Sequence, residues 1–138
     1  MLFKGLEISV SGMQAERVRI DLAASNLANV NSTHTENGQP YRRKVPVFEA
    51  VLDAQSQIPV YKVRVKDIQE DPSPFKLKFD PNNPDAGPDG YVRLPNVDPI
   101  REMVDMITAM RTYEANLTAF NTHKDLLIKS LEIIRVWK

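Results

Sequence analysis

Between Leu6 and Leu27 the apolar residues recur at alternating intervals of three and four, at Leu6, Val10, Met13, Ile20, Ala24 and Leu27, with Arg17 the one misfit. That interval predicts an amphipathic helix with a narrow stripe. Asn26, Asn29, Asn31, Ser32 and Thr33 mark its end, because their side chains bond nearby backbone and favour caps and turns. Its start is open, since Ser11 and Gln14 fit a capping box inside the pattern. From Tyr41 to Lys78 the period changes to two. Tyr61, Val63 and Val65 alternate with Lys62, Arg64 and Lys66, and Phe75, Leu77 and Phe79 repeat the scheme, which predicts strands with one apolar face. Asp71-Pro72-Ser73-Pro74 separates the two runs as a turn, and Asp80 to Val97, with Pro81, Pro84, Pro88, Pro95 and the Asp89-Gly90 pair, reads as loop.

Asp98 then supplies a cap and Pro99 a first helical residue, where its missing N–H is not needed. A second stripe follows through Met103, Met106, Met110, Tyr113, Leu117, Phe120, Leu127, Leu131 and Ile134, broken only by Lys124. No glycine or proline interrupts it after Pro99, so the helix extends about 55 Å at 1.5 Å per residue. A compact globule of this length has a radius of gyration near ~14 Å, too small to enclose such a rod. The expected fold is mainly α with a small β insert: elongated, antiparallel, coiled-coil-like N- and C-terminal helices around a β-rich central segment. The segments are residues 1–33 for the first helix, 34–97 for the β-rich and loop insert, and 98–138 for the long helix that pairs with the first. A bundle with a bent long helix is the alternative.

With Leu6 placed near Ile134, facing positions add to about 140 and Arg17 lies level with Lys124. Two cations meeting there either reach outward along their apolar stems or, meeting carboxylates of a neighbouring subunit, with Glu16, Asp21 and Asp125 as local acids, form a candidate register layer. A narrow seam leaves Ile100, Val104, Ile107 and Ile128 uncovered, so neighbouring subunits are expected to cover them.

Composition narrows the function classes. The chain has 138 residues, 42% hydrophobic and 26% charged, ordinary for one ordered domain. Its 18 basic and 18 acidic residues cancel, leaving no global field to hold nucleic acid or an anionic membrane. Zero cysteines exclude disulfides, thiolate metal sites and a cysteine nucleophile. Apolar runs of three residues, such as Leu126-Leu127-Ile128, fall far short of a membrane span, and the start Met1-Leu2-Phe3-Lys4-Gly5 does not read as a cleaved signal peptide.

Candidate chemistry is sparse. His34 and His123 lie in different elements without a second ligand at metal spacing. Asp80 to Tyr91 fails the calcium-loop pattern at Pro84, Asp85 and Tyr91. Asp67, Glu70 and Asp71 read as solvated acids at a strand end, and Arg42-Arg43-Lys44 as a solvated basic face rather than a nucleic-acid patch. No glycine-rich phosphate loop is present, and the methionine and aromatic stripe reads as packing, not a cofactor box. The expectation is a non-enzyme without cofactor or metal. Asn26 and Asn29 carry two readings, as helix terminators or as polar contacts between subunits.

The run Ala23 to Ser32, with Ser25-Asn26-Leu27-Ala28-Asn29 at its centre, resembles the signature shared by bacterial flagellar basal-body rod and hook proteins. Leu6 to Ile20, Gly38 to Lys44, Pro84 to Val97, Glu102 to Asp105 and Tyr113 to Asn116 resemble the smallest proximal rod members of that family. Asn82-Asn83 before Pro84, where the family commonly has a histidine, and the Trp137-Lys138 end depart from it. The resemblance implies a structural subunit that polymerises through its terminal helices into the drive shaft transmitting torque. It further implies export through the flagellar type III apparatus without a cleaved signal peptide, a place in the periplasmic rod, and partnership with copies of itself and other rod proteins, with no nucleic acid and no membrane insertion. The runner-up is a coiled-coil adaptor forming a discrete complex with a partner helix.

Overall fold

The computed structural model describes residues 2–137. Six elements follow one another: α1 (Leu2–Ala28), β1 (Lys44–Leu52), β2 (Tyr61–Glu70), β3 (Lys76–Phe79), β4 (Tyr91–Leu94) and α2 (Pro99–Val136). Two long terminal helices thus flank a small antiparallel β region made of two separate hairpins, β1–β2 and β3–β4. At 38 residues α2 spans about 57 Å, and α1, at 27 residues, about 40 Å. The Asp98 carboxylate caps α2 by accepting from the Ile100 amide at 3.0 Å, and Pro99 occupies the first turn as the sequence predicts. The surface of 9746 Å² exceeds the roughly 7,300 Å² of a compact monomer of 15.7 kDa by about a third, so this chain leaves much of itself uncovered.

The helices pack antiparallel, in a register different from the expected one. Gly5 faces His123, Gly12 faces Asn116, and Asn26 bonds Glu102, each pair adding to 128 rather than 140. Those positions recur every seven residues, and the same interval puts Arg19 level with the fully buried Ala109. Small residues decide this register. A Cβ on Gly5 would stand 2.4 Å from the His123 ring, and one on Gly12 2.7 Å from the Asn116 carboxamide. The glycines, with the buried Ser9 and Ala23, let the helices approach more closely than Leu6, Met13 and Ile20 would allow.

Arg17 and Lys124 therefore do not meet. Arg17 falls level with Arg111 and Lys124 with Lys4, and both side chains reach outward and are exposed, so the expected Arg17–Lys124 layer does not form within this chain.

A second face of α1 carries the long hairpin: Ser11, Ala15 and Val18 line a groove with Val51, Val63 and Val65. The Ser11 hydroxyl accepts from the Val63 amide at 3.2 Å, binding the open edge of β2 to the helix. Strand β1 pairs with β2 from Lys44↔Glu70 to Leu52↔Tyr61, with a bulge between Val47 and Phe48 that leaves Lys66 unopposed.

The region read as continuous loop contains β4, which pairs Tyr91 to Leu94 with Phe79 to Lys76. Four residues fenced by Asp89-Gly90 and Pro95 are too few to show a period. The face choice in this hairpin also differs from the alternation. Val92 is buried, whereas Leu77 and Phe79 point away from the chain and are 64% exposed.

Candidate functional site

Where α1 ends and α2 begins, polar side chains replace the apolar core. Asn26 and Glu102, each 1% exposed, are two of the five largest fully buried side chains. The Asn26 amide donates to Glu102 Oε2 at 3.0 Å and to the Lys44 carbonyl at 2.9 Å. Its oxygen accepts from the Tyr41 hydroxyl and the Lys44 amide, each at 2.9 Å. All four of its hydrogen-bonding capacities are filled within the chain, so Asn26 joins three segments distant in sequence. It neither terminates the helix nor waits for a neighbouring subunit, which corrects both sequence readings. Asn29 does behave as a terminator: its amide donates to the Ser25 carbonyl at 2.9 Å, and its oxygen accepts from the Ser32 hydroxyl at 3.0 Å.

Arg43 completes this clamp, and the solvated-face reading fails for it. Its side chain is buried: Nε donates to Glu102 Oε1, Nη2 to Asp105 at 3.0 Å, and Nη1 to Asp71 at 3.5 Å. Burial opposes the charge, but Glu102, Asp105 and Asp71 together outweigh it and hold the guanidinium above its ordinary range. Asp71, read as a solvated acid, is held below the usual carboxylate range by the Ser73 amide and hydroxyl, and then by Arg43. Arg42 stacks 4.2 Å over the Phe75 ring, leaving only Lys44 of the basic run exposed. Asn96 bridges the Arg43 amide to the Asp71 and Ser73 carbonyls. The clamp thereby fixes the end of α1, the chain entering β1, the turn after β2 and the first turn of α2 as one unit.

A second ionic group closes the other end of α1. Lys4 bonds Asp53 at 2.6 Å, and Lys62 bonds Glu7 at 2.6 Å and Asp53 at 3.4 Å, tying the tip of the β1–β2 hairpin to the start of the helix. The Lys4 ammonium, with the Gln55 amide, pushes Asp53 down to about 2.

The apolar stripes lie beside the facing positions rather than on them. Leu6, Met13, Ile20 and Leu27 are half-buried along the flank of α1, one residue after the facing series. On α2, Met106, Tyr113, Phe120 and Leu127 are half-buried, whereas Met103, Met110, Leu117, Leu131 and Ile134 are exposed. Within the signature, Ser25 is half-buried near Tyr41, Leu27 half-buried and Ala28 exposed. Glycines at a seven-residue interval were the available signal for this arrangement, since glycine weakens a helix unless another backbone or side chain must come close. No comparable signal marks Glu102, which differs from a solvated glutamate only through Arg43, 59 residues away.

In the observed register Leu2, the first described residue of α1, lies level with position 126. The last ten residues of α2, Leu127 to Val136, thus run about 15 Å beyond α1. Leu131, Ile133, Ile134, Val136 and Trp137 are all more than half exposed there. At 100° per residue these five leave one open sector, which the exposed Ile128 fills, so apolar side chains are distributed around the axis. No helix of the described residues is long and apolar enough to cross a membrane.

Known proteins match this chain along nearly all of its length. A family described as flagella basal body rod protein matches residues 6–34, covering Gly12 and Asn26. The C-terminal family of flagellar basal body rod FlgEFG proteins matches residues 89–133, covering β4, Glu102 and most of α2. The flagellar basal-body rod protein FlgC of Aquifex aeolicus is 51% identical over 137 residues, spanning 99% of this chain and 98% of the relative. FlgC of Bacillus subtilis is 45% identical over 95% and 97% of the two chains, and FlgC of Salmonella typhimurium 41% identical over 92% and 93%. The chain belongs to the FlgC family of flagellar basal-body rod proteins.

Proposed function

We propose that this chain is a structural subunit of the proximal flagellar rod, polymerising through its terminal helices into the shaft that carries torque. The observation that carries the reading is the end of α2. A helix apolar on one stripe needs one partner, but a helix apolar all round is stable only when enclosed. Between Lys129, Ser130, Glu132 and Arg135, the end of α2 exposes Ile128, Leu131, Ile133, Ile134, Val136 and Trp137 on more than one side of the axis, so a single partner helix would leave some of them in water. Enclosure by at least two neighbours favours an open polymer over the discrete complex of an adaptor.

In this reading residues 1–33 and 98–138 form the assembling core, which continues into coiled-coil-like contacts between copies, and residues 34–97 form an insert carried on its side. Leu6, Met13, Ile20, Met103, Met110, Leu117, Leu131 and Ile134 are the packing residues, exposed or half-buried in the single chain because they face other subunits. The partners are further copies and other rod proteins, reached after type III export into the periplasm without cleavage. The role is mechanical rather than catalytic: the buried clamp makes the helix pair and its insert a stiff unit, as torque transmission requires. Electron microscopy of basal bodies from a strain lacking the gene tests the proposal. It expects an export base without a rod; a complete rod in that strain would refute it.

A further inference from the structure

Two apolar patches lie outside the helices, at opposite ends of α1. The first is the tip of the β1–β2 hairpin, held at the start of α1 by the Lys4–Asp53 pair. There Leu52 and Tyr61 face each other across the strands, and with Ile58 in the connecting loop all three are more than half exposed. The second is the outward face of β3–β4, held near the end of α1 by the Thr33 hydroxyl, which donates to Asp85 at 2.7 Å. Phe79 and Tyr91 face each other across those strands, their rings edge to face at 5.2 Å, and Leu77 continues the face beside Arg93. No element of this chain covers either patch among the described residues, and the length of α1, about 40 Å, separates them.

We propose that these patches meet head to tail: the hairpin tip of one copy, Leu52, Ile58 and Tyr61, seats on the Leu77, Phe79 and Tyr91 face of a second copy. Three features select this occupant. Each patch is a cross-strand aromatic or aliphatic pair plus one further side chain, so their sizes match. Beyond the internally paired Asp53 and Lys62, the loop of the tip carries uncharged Gln55, Ser56 and Gln57, whereas the β3–β4 face is bordered by Asp85, Asp89 and Arg93, which offer both acceptors and donors to those amides. Each side exposes on the order of 300 Å² of apolar side chain, together about half the ~1,200 Å² of a stable two-body interface. A contact of that size does not hold a free dimer; it adds to the helix packing inside a polymer. Because the patches differ and sit at opposite ends, the contact is heterologous and does not close on itself.

The proposal rests on the rod reading, and the test separates the two. The chain has no cysteine, so Ile58→Cys and Leu77→Cys each introduce a single thiol at an exposed site. Both variants, with tags of different size, are produced together in the bacterium that carries the gene, and purified basal bodies are oxidised. The proposal expects a disulfide joining the two tags and little joining like with like. Chain present in basal bodies with no mixed disulfide, with like-with-like bridges dominating, or with bridges only to other proteins, overturns the head-to-tail contact and leaves the rod reading intact. Chain absent from the basal bodies overturns the rod reading itself. In a second variant, Leu77→Glu, the helical circular dichroism should remain and rod yield should fall several-fold; unchanged yield also overturns the contact.

Discussion

Replacing Asn26 by alanine should be far more damaging than replacing Asn29, although the two asparagines are equivalent in the sequence signature. Asn26→Ala strands Glu102 Oε2, leaves the buried Tyr41 hydroxyl only the 3.5 Å contact with Ser25 Oγ, and unpairs the amide and carbonyl of Lys44. Each buried group left unpaired costs about 1–3 kcal/mol, and the two most buried give roughly 3–5 kcal/mol even if water reaches the Lys44 backbone. Asn29→Ala removes one bond to the Ser25 carbonyl and one from the Ser32 hydroxyl at a partly exposed helix end, about 1 kcal/mol. At roughly 3 °C per kcal/mol for a chain of this size, Asn26→Ala should lower Tm by about 10–15 °C and Asn29→Ala by about 3 °C. Asn26→Asp should be no milder than the alanine, because it sets a second carboxylate against Glu102. Thermal unfolding of dilute protein followed by circular dichroism measures all three. Equal losses for Asn26→Ala and Asn29→Ala would refute the clamp.

Further predictions follow from the same contacts. Gly12→Ala, which would add about 1 kcal/mol of helix stability at an exposed site, should instead destabilise, because its Cβ meets the Asn116 carboxamide; adding Asn116→Ala should restore what is lost, read by urea unfolding. Asp53 has a folded-state pKa depressed from 3.8 to about 2, so its contribution is complete above 3.8 and lost as pH falls through 2. An NMR titration should place its midpoint near 2, Lys4→Met should move it upward, and amide exchange at the start of α1 should quicken between those pH values; an Asp53 midpoint near 3.8 would show that the ionic group does not form. Truncation before Leu127 should leave the clamp and both hairpins folded but abolish rod assembly and swimming, whereas a swimming truncation would show the exposed end of α2 to be dispensable.

Element types were legible in the sequence wherever a period had room to repeat. The three-and-four spacing marked both helices, and Asp98-Pro99 fixed the start of α2. Strand β4 escaped because four residues between turn formers show no period. The register of the helix pair was misread for a physical reason. Apolar stripes mark the faces that leave water in the assembled state, and in the proposed rod many of those faces would meet other subunits. The stripe of Leu6, Met13, Met103 and Met110 therefore points to a seam that Gly5, Gly12, Ala109 and Asn116 occupy instead. The clamp was legible only as the Asn26 signature and the Tyr41-Arg42-Arg43-Lys44 segment taken separately. Nothing local indicates that Asn26 and Arg43 share Glu102 across 76 and 59 residues.

The most direct test of the central claim is immunogold labelling of isolated hook–basal bodies carrying an epitope inserted in the exposed turn at Glu36 and Asn37, outside both proposed contact patches. Membership in the rod wall predicts gold on the rod segment of swimming cells' basal bodies and none on the hook or export base. Gold elsewhere, or basal bodies with complete rods that contain none of this chain, would contradict it.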